Sequence, residues 1–185
     1  MNVTADVIFF VTVSAGLAYV SRASLLHPSS HGFHRFFAWE CILILFLLNY
    51  RRWFEDPLAL HQILSWTLLV ISLFLVLPGV RLLHQKGKAN EQQRSEPLLA
   101  FEKTTVLVTD GVYRYVRHPL YSSLLFLNWG IFFKDPSVWG VFLAVAATVF
   151  LILTARAEEK EDIRYFGEAY REYMARTKMF VPYVL

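Results

Sequence analysis

Apolar residues in this chain fall into five runs, Val3–Val20, Phe36–Tyr50, His61–Val80, Tyr121–Phe133 and Trp139–Ala155, separated by polar segments. Neither the alternation of a half-buried strand nor the one-sided stripe of a soluble helix describes them. A helix needs about 20 apolar residues to cross a bilayer, so each run predicts a transmembrane helix. The first and third meet that length directly. The others reach it with flanking residues such as Trp39, Trp53 and Leu120. Lys134-Asp135-Pro136-Ser137 is a turn that makes the fourth and fifth an antiparallel hairpin over residues 121–155. The expected architecture is an all-α integral membrane protein of about five transmembrane helices. Residues 1–80 form a three-span N-terminal region, and 81–185 carry the chemistry.

The polar segments set direction. Arg22 and Arg35, seven cations from Arg81 to Arg117 and six from Arg156 to Lys178 would share one side, fifteen of the eighteen lysines and arginines. The positive-inside rule then puts the N-terminus outside and the C-terminus in the cytoplasm. The first run lacks the basic leader and small-residue cleavage pattern of a signal peptide and is read as a span. Pro97, Gly111 and Pro119 break residues 81–120 into turns and short helices. Beyond Ala155, Phe166, Tyr170 and Tyr173 recur on one face of an amphipathic interfacial helix that ends before Pro182.

Composition agrees with the pattern. Of the 185 residues, 56% are hydrophobic and 18% charged, with mean hydropathy +0.41, against about 45–50% and 25% in soluble domains. The single cysteine, Cys41, excludes an intramolecular disulfide and reads as a small buried hydrophobe. The scattered histidines give no metal-site spacing, and no phosphate-binding loop, dinucleotide fingerprint or Ser/His/Asp set is legible. Basic residues facing a membrane account for the net charge of +3 without nucleic acid.

Charged groups at membrane depth are costly, so polar segments on both flanks of the hairpin mark the place to seek function. Before it stands Thr109-Asp-Gly-Val-Tyr-Arg-Tyr-Val-Arg-His-Pro-Leu-Tyr121; after it come Glu158-Glu159 and the aromatic face. Pro119 suits the first turn of a helix, and His118 then sits beside unpaired backbone donors that favour an anion. Arg114 and Arg117 read equally as cations reaching lipid head groups, and Glu158-Glu159 as a solvated acidic turn or as acceptors for ligand hydroxyls or positive charge.

Leu107-Val-Thr-x-Gly111-x-Tyr113, Arg117-His-Pro-x-Tyr121, Glu158-Glu159 and Phe166-Gly-x-x-Tyr170-x-x-Tyr173, in this order and spacing, resemble the isoprenylcysteine carboxyl methyltransferase family of integral membrane methyltransferases over about residues 98–185. The resemblance implies an S-adenosyl-L-methionine pocket facing the cytoplasm, between the segment before the penultimate span and the helix after the last. Thr105, Val106, Leu107, Val108, Tyr113, His118, Pro119, Leu120 and Tyr121 match its cofactor-contacting positions, and Glu158 its cofactor-holding glutamate. Some positions depart from the family pattern: Ser123 replaces a frequent glycine and Thr105 a frequent histidine, and the substrate-binding arginine falls on Thr154. Arg156, two residues on, is the candidate to take its place, with Glu159 as the candidate catalytic carboxylate. The ending Arg176-Thr-Lys-Met-Phe-Val-Pro182 also differs from the family's.

The expectation is methyl transfer to a lipid or hydrophobic small molecule, in a bacterial or archaeal cytoplasmic membrane. A protonated amine acceptor would need a base, for which Tyr113, His118 and Glu159 are nearest. Two other classes stay open: a lipid-binding or assembly protein that kept the fold, and a nicotinamide-dependent membrane reductase.

Overall fold

The structure is a computed structural model and describes residues 3–86 and 106–182. Six helices follow in chain order: α1 (Val3–Leu25), α2 (His31–Asn49), α3 (Leu60–Lys86), α4 (Pro119–Phe132), α5 (Val138–Phe166) and α6 (Glu168–Arg176). No strand occurs among the described residues beyond one isolated bridge, between Val116 and Lys178. Among the described residues four helices are long and apolar enough to cross a bilayer: α1, α2 with the turn that follows it, α3 and α5. The expected fourth span is shorter. The 14 residues of α4 reach only ~21 Å at 1.5 Å per residue. It opens at Pro119, just before the apolar run, and Phe133-Lys134 end it.

Each helix begins and ends for local reasons. The Ser30 hydroxyl accepts the Phe33 amide at the start of α2, and the Ser137 hydroxyl accepts the Gly140 amide at the start of α5, relieving donors a first turn leaves open. Of the two readings of Glu158-Glu159, a solvated turn or acceptors for a ligand, the turn is excluded, because α5 runs unbroken to Phe166. It stops at Gly167, whose φ of +63° is costly for a residue with a Cβ. The amphipathic helix read beyond Ala155 is therefore two pieces, with Phe166 closing α5 and Tyr170 and Tyr173 on α6.

In the bundle α2 lies along α5, α3 along α4, and α1 flanks α2. Water exclusion cannot drive helices together within lipid, so close contact must come from small residues and polar pairs. On α5, Ala144, Ala147, Leu151 and Ala155 share one fully buried face. Where α3 meets α4, a Cβ on Gly130 would come within 2.9 Å of the Leu69 side chain. The same contact is pinned by the Ser65 hydroxyl donating to the Gly130 carbonyl at 2.7 Å and the Ser72 hydroxyl to that of Ser123 at 2.8 Å.

Lys134, at the turn of the hairpin, is 1% exposed. Its ammonium donates to Gln62 Oε1 at 3.0 Å and to the Trp53 carbonyl at 3.3 Å, and sits 3.5 Å from the centroid of the Trp66 ring. This lysine ties the hairpin to the start of α3. We expect Gly130→Val to force α3 and α4 apart at Leu69 and to destabilise by roughly 1–3 kcal/mol, read as a lower thermal midpoint in detergent.

Candidate functional site

The start of α2, the end of α3, the start of α4 and the end of α5 meet at one end of the bundle, with α6 and the segment 106–118 packed over them. A pocket opens there, walled by groups from each of these elements.

The C-terminal segment straps down the residues that lead into α4. The Arg117 amide donates to the Lys178 carbonyl at 2.9 Å, the His118 amide to that of Met179 at 3.3 Å, and the Lys178 amide back to Tyr115 at 3.3 Å. Residues 115–118 are thus held against the C-terminal segment until Pro119 opens α4. On α6, Tyr173 donates its hydroxyl to the Tyr113 carbonyl at 2.6 Å, fixing the loop that carries Tyr113.

Charged groups link the start of α4 to the end of α5. Arg117 Nε lies 2.5 Å from Glu159 Oε1, and its Nη1 donates to the Thr177 carbonyl at 2.7 Å. His118 Nδ1 lies 3.1 Å from Glu158 Oε2, while Nε2 stands 3.4 Å from Glu159 Oε1 without the alignment of a hydrogen bond. Glu158 and Glu159 are adjacent on α5, so the pairs form a four-membered cluster. The His118 ring also stacks on Tyr121, with centroids 5.6 Å apart. Burial alone would lower the His118 pKa, but the two carboxylates outweigh it and raise it to about 9. The imidazole is therefore a cation at neutral pH. Burial, and then the charge of Glu158, pushes the ionisation of Tyr113 well above the ordinary phenol value.

Of the residues singled out in the sequence, Leu107, Val108, Tyr113, His118, Pro119, Leu120, Tyr121 and Glu158 line this one pocket. Val106 is exposed and outside it, and Thr105 lies outside the described residues. Glu159 turns to Arg117 and does not line the pocket; Arg156 is exposed and not among its walls. Thr154, at the family's arginine position, is buried and donates its hydroxyl to the Phe150 carbonyl at 2.7 Å. Sequence reasoning missed Arg35 and Trp39 of α2, Leu83 of α3, Leu124 of α4 and Asp162 of α5, which also line it. Arg35 had passed for a loop cation; its spacing of four from Trp39 was the available sign that both face one way.

The residues present fit S-adenosyl-L-methionine chemically. A cationic imidazole at a helix start suits a carboxylate, Glu158 can accept hydroxyl or ammonium hydrogen bonds, and the faces of Tyr113, Tyr121 and Tyr170 favour a sulfonium.

A sequence model of the phospholipid methyltransferase family matches residues 60–169. The chain belongs to this family. Among its relatives, the methanethiol S-methyltransferase of Pseudomonas deceptionensis is 27% identical over 119 residues, covering 64% of this chain and 42% of that protein. Methanethiol S-methyltransferase 2 of Bradyrhizobium diazoefficiens is 25% identical over 146 residues, 75% and 56% of the two chains. The human protein-S-isoprenylcysteine O-methyltransferase is 36% identical over 85 residues, 44% and 29%, in keeping with the resemblance read from the motifs. The chain spans about two-fifths of the length of the first of these relatives. No solved structure matches it. Four long apolar helices and membership in this family make the chain an integral membrane protein.

Because the His118 pKa is raised on folding, the stability it contributes is complete below the ordinary imidazole value of 6.5 and lost as pH rises through about 9. Thermal midpoints in detergent between pH 6.5 and 9.5 should fall in the wild type, and fall less in His118→Gln.

Proposed function

We propose that this protein is an S-adenosyl-L-methionine-dependent methyltransferase acting on a lipid or hydrophobic small molecule at the cytoplasmic face of the membrane. One observation carries the reading: Tyr113, His118 and Tyr121, around the start of the hairpin, and Glu158, after it, line a single pocket with the chemistry the cofactor requires. Family membership supports it, and so do relatives named as methyltransferases. The cofactor supplies a methyl group on a sulfonium, poised for in-line displacement without a covalent enzyme intermediate.

The residues of the chain position and exclude water. His118 and the start of α4 hold the carboxylate, and Glu158 holds hydroxyl or ammonium groups. The phenol rings pack about the sulfonium, a contact of roughly 0.5–2 kcal/mol. Alignment of two reactants in such a site can supply on the order of 7–11 kcal/mol. Arg117 and Glu159 neutralise each other beside the site and keep the strap in place. The excess of cations beside the pocket sets this face in the cytoplasm and the N-terminus outside, in a bacterial or archaeal cytoplasmic membrane.

None of the three candidate bases is suited to take a proton at neutral pH. Tyr113 holds its own, His118 already carries one, and Glu159 is committed to Arg117. The site is built for an acceptor that arrives with its lone pair available.

The test is transfer of label from methyl-labelled S-adenosyl-L-methionine into the organic extract of native membranes mixed with purified protein. We expect label in the organic phase, and at least a hundredfold less with Glu158→Gln. Equal transfer by wild type and variant would overturn the assignment of the site.

A further inference from the structure

The polar end of α5 holds three cations, Arg156, Lys160 and Arg164, among four acids, Glu158, Glu159, Glu161 and Asp162. In sequence such a mixture reads as a helix laced by its own ion pairs, but the structure sorts it by face. Every acid turns into the bundle. Glu158 meets His118, Glu159 meets Arg117, Glu161 meets the amide and ring of His31, and Asp162 lines the pocket. The three cations are all exposed. No ion pair or side-chain hydrogen bond joins any of them to another described residue.

These cations stand four apart, so they share one face of the helix, each ~6 Å along the axis from the last. Steps of three and four back along the same face reach Leu153, Val149, Val145 and Phe142, all exposed. The lipid-facing stripe of α5 thus runs without a break into a ladder of cations. From Val138 to Ala155 the helix rises ~27 Å, close to the hydrocarbon thickness of a bilayer. Arg156 then stands at the hydrocarbon edge, Lys160 at the level of the phosphates and Arg164 above them. Like charges four apart on a helix are destabilising, and among the described residues no acid offsets them. An anion from outside the chain would complete the ladder.

We propose that the outer face of α5 is a binding site for an anionic phospholipid, separate from the pocket and independent of the methyl-transfer reading. The acyl chains lie along Leu153, Val149 and Val145, the phosphate sits between Arg156 and Lys160, and the outer part of the head meets Arg164. Arg164 gives the site its selectivity. The ammonium of a choline or ethanolamine head would lie against its guanidinium and be repelled, whereas a glycerol or a second phosphate would not. Lipid and pocket take opposite faces of the same turns, so the lipid neutralises the outside of the stretch that holds Glu158. Arg156, exposed and outside the pocket, finds its use at the membrane surface.

Native mass spectrometry of the detergent-purified protein reads the first bound lipid directly. Dioleoyl phosphatidylglycerol and dioleoyl phosphatidylcholine, alike in their chains, are titrated separately. The wild type should hold the first phosphatidylglycerol about tenfold more tightly than the first phosphatidylcholine. The triple variant Arg156→Gln, Lys160→Gln, Arg164→Gln should bring that ratio within about twofold of one. A control, Arg171→Gln, Arg176→Gln, Lys178→Gln, removes as much charge from α6 and the strap and should keep the preference. Lys160→Gln with Arg164→Gln should lower the ratio at least about threefold, and serves if the triple variant does not fold. Inorganic phosphate in excess should leave the lipid bound. A wild-type ratio near one would overturn the proposal without any variant, and so would a preference that survives loss of the ladder. Equal losses in the two triple variants would overturn it by assigning the preference to the charge of the whole face. Displacement by inorganic phosphate would overturn the lipid as occupant.

Discussion

The structure turns on charges that must be paired where the bundle meets the edge of the bilayer. Arg117 and His118 precede α4, Glu158 and Glu159 close the apolar part of α5, and neither pair could be buried without the other. Removing one partner of such a set leaves an uncompensated buried charge, typically at a cost of roughly 3–5 kcal/mol. Their pairing fixes how far α5 runs past its apolar stretch, because the helix must carry two carboxylates to the level of the imidazole. It also fixes the strap, since Arg117 reaches the Thr177 carbonyl while holding Glu159. The pocket is the space these constraints leave between α2, α3 and the aromatic faces of α6.

Much of this was legible in the chain, for a physical reason. Long apolar runs and a charge bias are strong one-dimensional signals, and they located the helices and the site. The stretches around Gly111, Arg117-His118-Pro119 and Glu158 stood out because charges and turn formers at the edge of a span are unlike lipid-facing sequence. The length of α4 could not be read the same way. The run to Phe133 invites extension with flanking residues, but the proline start and the enclosed Lys134 confine the helix to Pro119–Phe132. Nor could the helical state of Glu158-Glu159, since two acids after a span look like a solvated turn until Arg117 and His118 are known to lie opposite.

The N-terminal spans carried the part that sequence missed. Arg35 and Trp39 stand four apart near the start of an apolar helix, and nothing local separates an interfacial cation from one enclosed in a pocket. The distinction is tertiary: α2 lies so closely along α5, through Ala38 and the alanine face of α5, that its first turns face inward beneath α4. The side nearest α6 and the strap offers hydrogen-bonding and aromatic groups. The side nearest α1 offers an apolar wall with one cation at its inner end.

The most direct test of the central claim is calorimetric titration of the detergent-purified protein with S-adenosylhomocysteine, beside a nicotinamide dinucleotide as control. The account predicts saturable micromolar binding of S-adenosylhomocysteine and none of the dinucleotide. Folded protein that binds neither, or the dinucleotide alone, would contradict it.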